Sequence, residues 1–176
     1  MVNIIPYDPQ AHEDDYLLLN VELLGWYRDQ LYEKYNVDTE AVIGQTIEEY
    51  VAENTGNLVS LHSPDGVIYI VEVDGEIAGT GAIKKFRGSI GEIKRMYIRP
   101  KFRENGYSKL LINKLLQTGN DYGWSSFILD TPQFAYAAHG LYRSVGFLER
   151  GPYPESEVPP TLAQYWMYME KINPNR

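Results

Sequence analysis

The sequence predicts a mixed α/β (α+β) fold: one sheet of mostly antiparallel strands flanked by helices. Three observations predict it. Two β runs in "GVIYIVEVDGEIAGTGAIKKF" meet at Asp74-Gly75, the strongest short hairpin signal in the chain. The region before them carries helical spacing of apolar residues. Strands alternate with helices only in the second half, so a mixed sheet is expected rather than a purely parallel one.

The elements follow in order. "VNIIPY" reads as a short first strand. Residues 10–35 read as helical, with apolar residues at Tyr16, Leu19, Leu23, Trp26 and Tyr27, and Gly25 is expected to divide them into two helices. "DTEAVIGQTIEEYVAEN" reads as one further helix, with Thr46 as cap and Glu49 three positions on. After the hairpin, "SIGEIKRMYI" is a third β run closed by Pro100. Leu110, Leu111, Leu115 and Leu116 mark a helix over 106–117. "WSSFILD" is a short buried strand, "PQFAYAAHGLYRSVG" a helix ending at Gly146, and "FLERGPY" another strand. A Pro-rich loop, "PYPESEVPP", leads to a last strand, "LAQYWMYMEK".

At 176 residues, with 44% hydrophobic and 23% charged side chains, a single domain over 1–176 with a sizeable core is expected. No run of about 18 apolar residues predicts a membrane span. The first 15 residues lack a basic start and a long apolar stretch, so no secretory signal is expected. The absence of cysteine excludes thiolate metal sites and a Cys nucleophile, and fits a cytoplasmic setting. His12, His62 and His139 have no ligand spacing and are expected at the surface or in turns, with no metal site. A net charge of −8 argues against nucleic-acid binding.

That charge is uneven. Residues 1–83 carry 2 basic and 16 acidic side chains, whereas residues 84–114 carry 10 basic and 2 acidic. A basic cluster is usually a solvated face; its sharper reading is a site for a compact anion such as a phosphorylated cofactor. The cluster surrounds "RENGYS", a Gly-containing turn between a strand and a helix start, where free N–H groups and the helix dipole suit a pyrophosphate. Neither Gly-x-Gly-x-x-Gly nor Gly-Lys-Ser/Thr is present.

Two stretches resemble the GNAT superfamily of acetyl-CoA-dependent N-acetyltransferases. Arg103-Glu104-Asn105-Gly106-Tyr107-Ser108 is similar to its Arg/Gln-x-x-Gly-x-Gly/Ala motif, with Ser108 at the small final position. Ala138, Leu141, Tyr142, Gly146 and Phe147 match its Ala-x-x-Leu-Tyr-x-x-x-Gly-Phe helix. The resemblance covers residues 67–151 well, and residues 1–60 by pattern only. It implies a splayed sheet with acetyl-CoA as co-substrate between the fourth and fifth strands. It also implies pyrophosphate contacts from the backbone of Arg103, Glu104, Asn105, Gly106, Tyr107 and Ser108, and pantetheine pairing along Met96, Tyr97 and Ile98.

The implied reaction moves acetyl to a primary amine by direct attack in a ternary complex. The family pattern implies Glu92 as general base and Tyr142 as proton donor to the leaving thiolate. Two plainer readings stand beside these: Glu92 pairs with Lys94, Lys84 or another strand neighbour, and Tyr142 packs in the core. Gly79 and Gly81 suit close packing or a bulge. The stripe over residues 16–27 is core that also suits an acceptor pocket, and the acidic first half would attract a cationic amine. The alternative to an enzyme is an acyl-CoA-binding or interaction module on the same fold. The acceptor amine stays open, as do the acyl chain beyond acetyl and a homodimer.

Overall fold

The structure, a computed structural model, describes residues 1–59 and 62–173. In chain order, strand β1 is Val2–Pro6, and helices α1 to α4 are Pro9–Tyr35, Thr39–Ile43, Ile47–Asn54 and Gly56–Val59. Strands β2, β3 and β4 are Gly66–Val73, Glu76–Arg87 and Ile90–Ile98. Then come α5 (Tyr107–Asp121), β5 (Ser126–Pro132), α6 (Tyr136–Ser144), β6 (Leu148–Arg150) and β7 (Trp166–Ile172).

The strands form one sheet in the order β1-β2-β3-β4-β5-β7-β6. All neighbours are antiparallel except β4 and β5. The expected hairpin joins β2 to β3 through Asp74 and Gly75, both at positive φ (51° and 83°), the conformation a tight two-residue turn requires. Helix α5 buries Leu111, Ile112 and Leu115 against Ile83, Ile93 and Phe127 on one face. Helix α1 covers the other face, with Tyr16 against Ile68 and Ile70, and Leu19 and Leu23 against Tyr97.

Three expectations are overruled. Helix α1 runs unbroken through Gly25. A mid-helix Gly costs only about 1 kcal/mol relative to Ala, and the buried residues on either side, Leu23 and Leu31, outweigh it. The single helix expected over 38–54 is two. Gly44 closes α2 in the left-handed conformation (φ 77°), Asp38 caps α2, and a full Thr46/Glu49 capping box starts α3. The third concerns His139, which is buried rather than at the surface, with its Nε2 2.9 Å from the Pro132 carbonyl oxygen.

The sheet is split where the site lies. Strands β4 and β5 pair only over Ile90–Glu92 and Ser126–Ile128, although both continue beyond. From Ile93 to Ile98 the edge of β4 facing β5 therefore has no strand partner. A bulge accompanies the divergence: Ala82 faces Lys94 and Thr80 faces Tyr97, so Gly81 alone opposes Arg95 and Met96. Arg95 takes a positive φ of 55° there. A bulge bends its strand and sharpens its twist, which carries β4 away from β5. Gly79 and Gly81 serve that geometry. A Cβ on Gly79 would lie 2.3 Å from the Tyr97 carbonyl oxygen, and one on Gly81 2.9 Å from Met96 Sδ.

Candidate active site

The turn after β4 is built to present N–H groups. Pro100 ends the strand in one short helical turn over Pro100–Phe102. Glu104 and Gly106 then take positive φ, 65° and 78°. Among the described residues, the backbone N–H groups of Glu104, Asn105, Gly106, Tyr107 and Ser108 have no acceptor. They surround the start of α5, where the helix dipole is positive. The Asn105 side chain closes the turn by donating to the Arg103 carbonyl at 2.8 Å.

The cations play a different part from the one expected. Arg99 is held by Glu22 at 3.0 Å and by the Ile77 carbonyl, and Lys101 pairs with Glu76. Arg103 turns back, its Nε donating to the Ile98 carbonyl at 2.9 Å with its guanidinium over the Tyr97 ring. Much of the basic cluster thus neutralises acids of the first half and fastens the turn. Among the described residues, the groups of the turn left without a partner are the five N–H groups, the Lys109 ammonium and the remaining nitrogens of Arg103.

Beside the split, a cavity of about 970 Å³, measured to its open mouth, runs between α1, α2, α3, β4, β5 and α6. Its walls include Tyr27, Ile47, Arg95, Asp130, Tyr142 and Glu157. Tyr142 is buried, and among the described residues its hydroxyl has no hydrogen-bond partner. Burial, with Tyr27 and Asp130 nearby, raises its pKa well above the ordinary phenol value, so the proton stays on it at neutral pH.

The model of the acetyltransferase (GNAT) family matches residues 21–147. The chain belongs to that family. It is 31% identical over 98 residues to the IAA acetyltransferase of Azospirillum brasilense, an alignment covering 55% of this chain and 64% of that relative. The chain thus spans under two thirds of that relative's length. A putative acyl-CoA N-acyltransferase from Klebsiella pneumoniae superposes with a TM-score of 0.69 at 21% identity, over 98% of both chains. The paia N-acetyltransferase of Thermoplasma acidophilum, solved in complex with coenzyme A, superposes with a TM-score of 0.69 at 14% identity, over 98% of this chain and 99% of its own. These two likenesses establish the GNAT fold.

In this GNAT domain the residues fit acetyl-CoA on three counts visible in the chain itself: the unpartnered N–H groups of the turn, the open edge of β4, and the unpartnered Tyr142 hydroxyl. Met96 and Ile98 lie on that strand with their side chains in the α5 core, while Tyr97 packs against α1; Tyr97 and Ile98 face Thr80 and Gly79 of β3, and the Ile98 carbonyl accepts from Arg103. Glu104 reaches the site only through its N–H, because its carboxylate is exposed.

Glu92 is placed differently from the family expectation. It is 2% exposed and is not in the cavity wall. Lys84 and Lys94 each lie 3.4 Å from its carboxylate. The Tyr153 hydroxyl is 2.9 Å from Glu92 Oε1 and 3.1 Å from Asp130 Oδ2, so its one proton serves both carboxylates in turn. Glu157 completes the cluster, 2.6 Å from Lys84 and 3.1 Å from Lys94. Burial opposes its ionisation, but Lys94 and Lys84 outweigh that and hold its carboxyl at about 2. Burial would likewise lower Lys94, yet Asp130, Glu92 and Glu157 together raise it.

Asp130, Tyr153 and Glu157 were not singled out from sequence. Asp130 carried a usable signal, one acid inside the apolar run "FILDTP". Tyr153 and Glu157 sit in the Pro-rich loop, and no local pattern points from there to a strand residue 61 positions away.

Proposed function

We propose that the protein transfers acetyl from acetyl-CoA to a primary amine by direct attack within a ternary complex. One observation carries the reading. The open edge of β4 runs from a turn with five unpartnered N–H groups to a cavity that contains an unpartnered, buried phenol. A module that only bound the cofactor would have no use for that phenol or for the carboxylates across from it.

Acetyl-CoA supplies an activated thioester carbonyl, and the chain supplies the rest. The N–H groups of residues 104–108 hold the pyrophosphate, the Arg103 N–H being taken by the Pro100 carbonyl, and the backbone of Met96, Tyr97 and Ile98 pairs with the pantetheine arm. An N–H released by the bulge stabilises charge developing on the carbonyl oxygen. Tyr142 donates to the departing sulfur. Its raised pKa keeps the proton available while making full transfer uphill, so it acts through a hydrogen bond that strengthens as the thiolate forms.

Asp130, in the cavity wall, takes the proton from the amine. Glu92 acts through Tyr153 and Lys94 as a positioning residue: both also contact Asp130, and Glu92 holds them in place beside it. A free amine is the nucleophile, so the rate should rise with pH as the acceptor deprotonates.

The test is an amine panel incubated with acetyl-CoA, with free CoA thiol and acetylated product both measured. Matched release of thiol and acetyl-amine is expected. Stabilisation by CoA without release for any amine would favour the binding-module reading. The cytoplasmic setting and the homodimer stay proposals, tested by cell fractionation and light scattering.

A further inference from the structure

The cavity wall contains a cation that the chemistry above leaves unused. Arg95 is the bulge residue of β4, held at a positive φ of 55°. It lines the cavity and is partly buried. Among the described residues its guanidinium has neither an ion pair nor a hydrogen bond. The other described arginines each have at least one such partner. Two unfavourable features thus coincide on one side chain: a left-handed backbone and a charge drawn partly out of water with nothing to pair with.

The bulge aims this side chain. Met96, the next residue, packs toward α5 among Leu111 and its neighbours. Arg95 points the other way, toward α1. Burial raises the phenols of Tyr16 and Tyr27, and Arg95 is the cation that pulls against it at both. Around it the wall is largely apolar, with Leu23, Leu24, Ile43 and Ile47. The two wall carboxylates, Asp130 and Glu157, are already engaged by Lys94, Tyr153 and Lys84. What remains is a five-donor planar fork in a pocket where neither wall carboxylate pairs with it.

We propose that Arg95 sets acceptor specificity, and that the acceptor is an amine carrying a carboxylate. Its amino group meets Asp130 and its carboxylate meets the Arg95 fork. This rests on the acetyl-transfer reading of the same site. A planar carboxylate matches a single guanidinium in both geometry and charge. A phosphate dianion would need a second cation, and the nearest, Lys94, is committed to three acids. A polyamine would place like charge against Arg95, so the acidic excess of the first half does not extend to this pocket.

The test is calorimetric binding to the protein–CoA complex, with acetyl transfer measured on the same compounds. The probes are the common L-amino acids, their amides, aminoalkylphosphonates and spermidine. At least one amino acid should bind about tenfold to a hundredfold more tightly than its own amide, the range of a charge-assisted hydrogen bond. Arg95→Gln should abolish that difference while CoA binding persists. Arg95→Lys, which keeps the charge but loses the fork, should retain only part of it. That comparison stands alone if the Gln variant fails to fold. Equal binding of acids and amides throughout the panel overturns the proposal. So does a carboxylate preference that survives in both variants, or a preference for phosphonates. Carboxylate-selective binding with no transfer would instead retain Arg95 as the anion site and sink the acetyl-transfer reading.

Discussion

Replacing Glu92 by Gln separates a base from a residue that positions one. The side chain keeps its shape, and its amide oxygen can still accept from Tyr153. What disappears is a buried negative charge 3.4 Å from both Lys84 and Lys94. At an effective dielectric constant of about 20, each contact is worth roughly 5 kcal/mol of attraction. Most of that is offset. The carboxylate no longer bears its own burial cost, and the lysines keep Glu157 and, for Lys94, Asp130 at 3.8 Å. The net loss should fall at or just below the low end of that for breaking a buried pair, about 2–3 kcal/mol. For a chain of this size that lowers Tm by roughly 5–10 °C. Urea and thermal unfolding measure it. On the positioning reading, kcat falls less than about tenfold at every pH and the profile keeps its shape, whereas Asp130→Asn costs about 100-fold, mostly at low pH. Unchanged stability in Glu92→Gln would refute the ion-pair argument. A loss of about 100-fold in Glu92→Gln, recovered as pH rises, would make Glu92 itself the base.

Tyr142→Phe removes a hydroxyl without a protein partner, so stability should stay within about 0.5 kcal/mol while kcat drops about 100-fold at unchanged acetyl-CoA affinity; wild-type turnover would exclude the phenol as donor. Gly106→Val places a β-branched residue at φ 78° with open space around it, so backbone strain alone should weaken CoA binding by more than about tenfold, read by calorimetry. Glu157 is held at about 2, below its ordinary 4.5, so it stabilises the fold above pH 4.5 and loses that contribution as pH falls toward 2. Glu157→Gln should therefore flatten the acid limb of a stability–pH curve in that window, by an amount reduced by its half-exposed position. Thr39 Oγ1 is buried without a partner, so Thr39→Val should raise stability by about 1 kcal/mol, measured by denaturant midpoint.

What could be read in advance follows from the range of each interaction. The Asp74-Gly75 hairpin and the Thr46/Glu49 capping box are contacts between residues at most three apart, and both stand as expected. The Gly106 turn is equally local. The break at Gly44 was also written locally, in a glycine between two capping residues, and was read through. The path of α1 across Gly25 was not local, because burial of Leu23 and Leu31 decides it. The cationic cluster misled for the same reason. Arg99 looked available for phosphate, but its partner Glu22 lies 77 positions away. Glu92 looked like a base on its strand, and only tertiary contacts, with Tyr153 and two lysines, show it enclosed. The bulge lies between. "EIKRMYI" breaks its polar–apolar alternation at Arg95, a faint sign of an extra residue.

The bond from Arg103 Nε to the Ile98 carbonyl fastens the Gly106 turn to the end of β4. On the proposed binding mode the two ends of the cofactor arm are thereby fixed at a constant span, and the protein works as a ruler. A cofactor shortened within its pantetheine arm can grip the turn or reach Tyr142, but not both at once. Such an analogue should keep much of its affinity and lose its rate, since the binding energy at one end can no longer be used to place the atoms at the other.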